Sequence, residues 1–104
     1  MEHTDPRLIL LSPEDNCVIV ARDLEAGTTL LLEGTSITVP RAIATGHKLA
    51  RRALAPDEKV LRYGAVIGHA TVAVEKGEHL HTHNLASDYI PTYTHDAGRS
   101  FVQH

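Results

Sequence analysis

The chain has 104 residues, ten Lys plus Arg against thirteen Asp plus Glu, a formal charge of −3 and a pI near 6.2. That length fits one small domain with a single core, and the acidic balance speaks against nucleic acid as a partner. With three Tyr, one Phe and no Trp, the core must be aliphatic, and a base-stacking platform has no material to be built from.

Residues 1–7 are polar and contain Pro6, which reads as a flexible amino terminus. Leu8-Ile9-Leu10-Leu11 is a first strand, too short for a signal core or a membrane span. The chain is therefore expected in the cytoplasm, away from membranes. Ser12 to Asn16 carries turn chemistry. Cys17 to Ala21 is a β-branched run and reads as a buried strand. Cys17 is the single cysteine, so it forms no internal disulfide, and its apolar setting suits a buried core thiol.

A spacing then recurs. Leu24, Leu54 and Val74 are each followed six positions on by Leu30, Val60 and Leu80. Gly27, Asp57 and Gly77 hold the middle of each copy. The pattern describes a strand end, a tight turn in the left-handed region and a new strand. Three such corners predict an irregular, mostly β domain over residues 8–86. Ser36 to Val39, Val60 to Tyr63, Ala65 to Gly68 and His69 to Val74 add further strands. Lys48 to Ala55 is read as a strand running into its corner rather than as a helix. The polar segment 87–104 holds Tyr89, Ile90, Tyr93 and Phe101, and aromatic residues there suit docking on a partner.

The chemistry-bearing residues are histidines, eight in all. In an extended run Glu78-His79-Leu80-His81-Thr82-His83-Asn84, the three imidazoles would project from one face. Imidazoles so spaced bind divalent metal or move protons near neutral pH. A second cluster, Thr45-Gly46-His47-Lys48, makes a cationic corner suited to a carboxylate. Tyr63-Gly64-Ala65-Val66-Ile67-Gly68-His69 matches no phosphate-binding fingerprint and reads as structural. The serines lack a nucleophile motif, and no Cys/His set has structural zinc spacing.

Gly46-His47-Lys48, Leu61-Arg62-Tyr63-Gly64, Ile67-Gly68 and Gly77-Glu78-His79-Leu80-His81-Thr82-His83-Asn84 occur in the order and spacing of a known family. The chain resembles the SAF-type amino-terminal domain of altronate and galactarate dehydratases over roughly Val18 to Asn84. The segment Ser87 to Tyr93 is similar to the end of stand-alone small subunits of that family. The resemblance implies a single β-clip-like SAF domain and removal of water from a sugar acid to give a 2-keto-3-deoxy acid. It implies a divalent metal, iron or manganese, held mainly with a large subunit expected as a separate polypeptide. It assigns catalytic roles to His47, His81 and His83, metal ligation to His81 and His83, and substrate contacts to Lys48 and Asn84. Inactivity of the chain alone is expected. A sulfolactate sulfo-lyase small subunit, a non-catalytic SAF binding module for a sugar acid or a protein partner, and a metal-handling protein are the other readings. A homo-oligomer through edge strands stays open.

Overall fold

The computed structural model describes residues 3–88. Among them there are nine short strands and no helix. Strand β1 (Leu8–Ile9) pairs with β2 (Cys17–Val20), which pairs with β5 (Lys48–Ala50), which pairs with β8 (His79–Leu80). Strands β3 (Thr29–Leu32) and β4 (Thr35–Thr38) form a hairpin, and β6 (Lys59–Arg62), β7 (Ala65–Ala70) and β9 (Leu85–Ser87) a third sheet. All pairings are antiparallel. This is the mostly β domain the spacing called for. His69 to Val74 is not a strand of its own: β7 runs unbroken from Ala65 to Ala70.

The recurring spacing turns out to be an internal duplication. Leu24 bridges Ile43, and Leu54 bridges Val74. Each bridge is doubled, with both N–H groups donating across it at 2.8–2.9 Å. A fourth corner, Ile43 to Leu49 with Gly46 at its centre, joins the three visible in the sequence. The central residues Gly27, Gly46, Asp57 and Gly77 have φ of 86°, 93°, 70° and 86°. Their N–H groups donate to the carbonyls of Val39, Val20, Ala70 and Ala50 at 2.7–2.8 Å. The backbone of 17–49 is thus repeated over 48–80, with β5 shared at the seam. Each half buries its own aliphatic cluster. Leu24, Leu30, Leu32, Ile37, Val39, Ile43 and Leu49 belong to the first. Leu54, Val60, Ala70, Val74 and Leu80 belong to the second.

The two hairpin turns match as well. Glu33-Gly34 and Tyr63-Gly64 all have positive φ, between 50° and 83°, the geometry that suits the twist of a two-residue hairpin. A non-glycine residue there is strained, and in both halves the turn is held from outside. Asp15, 2% exposed, accepts the N–H groups of Tyr63 and Gly64 at 2.7 and 2.8 Å. In the first half, Thr4 Oγ1 accepts the N–H of Glu33, and the His3 carbonyl accepts that of Gly34. Part of the stretch expected to be flexible therefore has partners on this hairpin, including the Asp5 N–H, which donates to Leu31.

Polar groups tie the halves together. Asn16 donates to the Lys59 carbonyl and accepts from the Leu61 N–H, both at 2.8 Å. Arg51 pairs with Glu33 at 2.8 Å and donates to the carbonyls of Pro13 and Asp15. Cys17 is 1% exposed and donates to the Leu61 carbonyl. Burial, reinforced by the Asp15 charge, pushes its thiol up to about 11. It is a core residue, in agreement with its apolar run.

Candidate metal centre and groove

His47 and His79 come from opposite halves of the duplication. His47 follows Gly46 in the second corner, where its carbonyl accepts the Val20 N–H at 2.8 Å. The corner is braced by Asp23, which accepts both the backbone N–H and the hydroxyl of Thr45 at 2.8 Å. His79 opens β8 after the fourth corner, opposite Leu49 of β5. Since β5 pairs with β2 on one side and β8 on the other, the shared strand brings the two imidazoles together. Nδ1 of His47 lies 3.0 Å from Nε2 of His79.

His81 completes the group. The sequence pattern suggests one extended run through His83, but β8 stops at Leu80. A tight turn follows. The N–H groups of Asn84 and Leu85 donate to the His81 carbonyl at 3.0 and 2.8 Å. Asn84, 1% exposed, clamps this turn: its Oδ1 accepts the His81 N–H, and its Nδ2 donates to the His79 carbonyl, each at 2.9 Å. The turn chemistry prevails over extension because Asn suits such a loop and closes it with its own amide. His79 and His81 nevertheless end on one side, with parallel rings (7°) and centroids 5.5 Å apart. The His47 ring is 4.9 Å from that of His81.

One ligand nitrogen from each of His47, His79 and His81 falls in a set whose members all lie within 4.8 Å of one another. Two nitrogens each about 2.1 Å from one cation stand roughly 3 Å apart, and the His47–His79 pair already has that separation. Three imidazoles suit iron, zinc or copper better than the oxygen-preferring calcium, magnesium or manganese. Of the two metals the resemblance implies, the donor set therefore fits iron better than manganese. The local electrostatics favour the ligating form. Burial lowers the pKa of His79 below the ordinary histidine value, and repulsion from His47, His81, His83 and Lys48 lowers it further. Neutral imidazole is the form that binds metal.

Beside the imidazoles opens a groove of about 1130 Å³. Its walls include Ser36, Thr38 and Arg41 from the first half, Lys76 and His79 from the second, and His81, Thr82 and His83 from the turn that follows it. Gly77 makes this meeting feasible. A Cβ there would fall 2.6 Å from the Ile37 Cγ2, so only glycine lets the fourth corner seat on β4.

The residues singled out from sequence fare differently. His47 and His81 come together, their ring centroids 4.9 Å apart. His83 is exposed, its ring 5.9 Å from that of His79 and outside the close trio. His79, left out of the ligand set, is the residue that joins the other two. Asn84 spends its amide on the backbone of the turn, so it positions histidines where a substrate contact was expected. Lys48 is half-buried on β5, in register with Ile19 and Leu80, and does not line the groove. Arg41 does, and no motif pointed to it. The expected docking residues Tyr89, Ile90, Tyr93 and Phe101 lie outside the described residues.

A β domain of paired corners with three histidines at its seam defines a class, and comparison with known proteins identifies it. Residues 6–88 match the family described as the altronate/galactarate dehydratase SAF domain, and the chain belongs to that family. It is 37% identical over 80 residues to altronate dehydratase of Bacillus subtilis and 34% over 74 residues to that of Escherichia coli. These matches cover 77% and 71% of this chain but 16% and 15% of those enzymes, so the chain spans about a sixth of their length. It is also 40% identical over 76 residues to the (2R)-sulfolactate sulfo-lyase subunit alpha of Chromohalobacter salexigens, covering 65% of this chain and 79% of that subunit. The chain is thus related to lyases, and to a subunit of a multi-subunit one.

Proposed function

We propose that this domain completes the active site of a divalent-metal-dependent lyase that removes water from a hydroxylated sugar acid to give a 2-keto-3-deoxy acid. The observation that carries the reading is the convergence of His47, His79 and His81 from both halves beside an open groove. Kinship with altronate dehydratases supports the reaction class. The match across most of a sulfo-lyase alpha subunit supports the arrangement, a small subunit working with a large one and inactive without it.

His47, His79 and His81 would hold the cation, iron or manganese. A bound cation supplies Lewis-acid stabilisation for charge developing beside the substrate carboxylate. His83, exposed at the groove and outside the trio, is free to give a proton to the departing hydroxyl. Lys48 acts at a distance, adding positive potential at His79. Asn84 keeps His79 and His81 in place. The base for the α-proton comes from the large partner.

A sulfo-lyase role is the second reading, favoured by the extent of the match to the alpha subunit. One experiment separates the two. This chain, a large dehydratase-type subunit, and their mixture are assayed with Fe²⁺ or Mn²⁺ on aldonates, aldarates and sulfolactate, following 2-keto acid and sulfite. Keto-acid formation from sugar acids only in the mixture is expected. Sulfite release alone would replace the reading with the sulfo-lyase. Full activity of the large subunit by itself would overturn the shared site.

A further inference from the structure

The groove is better furnished than its histidines alone require. Arg41 follows Pro40 in the loop between β4 and the second corner, and its side chain is exposed on the groove wall. Among the described residues its guanidinium has no hydrogen-bond or ion-pair partner. Arg51 and Arg52 are committed, to Glu33 and Glu58, and Arg22, beside the first corner, does not line the groove. Lys76, the other cation of the groove, donates to Thr35 Oγ1 at 3.1 Å and sits between Glu75 and Glu78 on its own corner. Both carboxylates line the groove as well, and Glu78 is partly used to cap the corner by accepting the Glu75 N–H. Arg41 is thus the strong cation of the groove with no internal claim on it.

Hydroxyls accompany it. Ser36 and Thr38 alternate on β4 and so face one way. Thr38 already bonds Thr29 at 2.9 Å, whereas Ser36 and Thr82 have no partner among the described residues. A planar guanidinium is shaped to take a carboxylate through two parallel hydrogen bonds. Hydroxyl side chains along the same groove suit a chain of substrate hydroxyls, each donor and acceptor.

We propose that Arg41 is the carboxylate anchor of the groove, holding the acid end of a hydroxylated sugar acid whose polyol lies along Ser36 and Thr82. This rests on reading the groove as a hydroxy-acid site. It assigns to Arg41 the role expected of Lys48, which does not line the groove.

The test is a binding measurement, independent of turnover. D-gluconate and its uncharged counterpart D-glucitol are titrated by NMR into the zinc-loaded full chain, the Arg41→Ala variant and the Arg41→Lys variant. Gluconate should shift the resonances of Ser36, Arg41 and Thr82 saturably. Arg41→Ala should weaken this by about tenfold or more, as loss of a charge-assisted pair does. Arg41→Lys, keeping charge but not the fork, should fall between. Glucitol should bind as weakly as gluconate binds the alanine variant. Zinc affinity and melting temperature should be unchanged in both variants, because Arg41 is exposed and unpartnered. Gluconate binding undiminished in Arg41→Ala, equal binding of glucitol, or no binding by the wild-type chain would each overturn the assignment. If gluconate binds through Arg41 while the mixed subunits turn over no sugar acid, the lyase reading fails and this one stands. Turnover undiminished in Arg41→Ala would do the reverse.

Discussion

The two halves of the molecule share a frame and differ in chemistry. Residues 17–49 and 48–80 repeat the same corners, hairpins and doubled bridges. Yet the first corner of each half, around Gly27 and Asp57, carries no histidine, while the second corners contribute His47 and His79. The frame is set by backbone requirements, positive φ at the corner and apolar residues three positions on either side, which many sequences satisfy. The site arises only where the copies meet on β5. A duplicated scaffold thus makes one asymmetric centre by decorating the corners nearest its own seam, and neither half holds it alone.

That contrast can be broken most sharply at the corner glycines. Gly46 and Gly77 occupy equivalent positions with similar φ, but only Gly77 is pressed against Ile37. Gly46→Ala should cost about 1–2 kcal/mol, the strain of a side chain in the left-handed region. Gly77→Ala adds overpacking to that strain and should cost about 2–5 kcal/mol, read by urea denaturation. Equal costs would mean that the seat of the fourth corner on β4 is not a close one.

Buried asparagines sharpen the comparison next. Asn16 and Asn84 each bond two backbone groups at 2.8–2.9 Å, but only Asn84 clamps the histidine turn. Alanine at either position should cost about 1–3 kcal/mol by orphaning buried groups. Only Asn84→Ala should also lower metal affinity, by about 10- to 100-fold. A matching loss in Asn16→Ala would place the effect in general loosening of the fold.

The smallest effect concerns pH. His79 has its pKa lowered in the folded protein, by burial first and by the neighbouring cations second. As pH falls below the ordinary histidine value of 6.5, the unfolded chain takes up a proton that the folded chain resists. The stability of the metal-free protein should therefore decline with falling pH in that range, and His79→Gln should flatten the decline. An unchanged slope in the variant would assign it to another group.

Much of the frame was legible in the sequence, because the corner spacing combines two signals, an apolar pair and a residue tolerant of positive φ. The fourth corner, Ile43 to Leu49, has the same spacing, but its Gly46-His47-Lys48 masks it by pointing to chemistry. Strand β9 gave little signal, since Leu85-Ala86-Ser87 is short and lacks alternation. Within the site, the clustering of His79, His81 and His83 was visible in the sequence, whereas the approach of His47 to His79 and the place of Arg41 on the groove were not. Their roles depend on which strands are neighbours, and that was settled by the shared strand β5 rather than by local pattern. Asn84 was visible as a residue, but its closing of the turn was not, because a side chain that closes a turn and one that meets a ligand look alike in sequence.

The most direct test of a centre shared between halves is Co²⁺ titration of the full chain, followed by visible absorption. One equivalent of Co²⁺ should produce a spectrum typical of nitrogen ligation. His47→Ala, in the first half, should abolish it as fully as His79→Ala or His81→Ala in the second, while His83→Ala should leave it intact. A His47→Ala variant that binds cobalt like the wild-type chain would contradict the account, leaving the second half to hold the metal by itself.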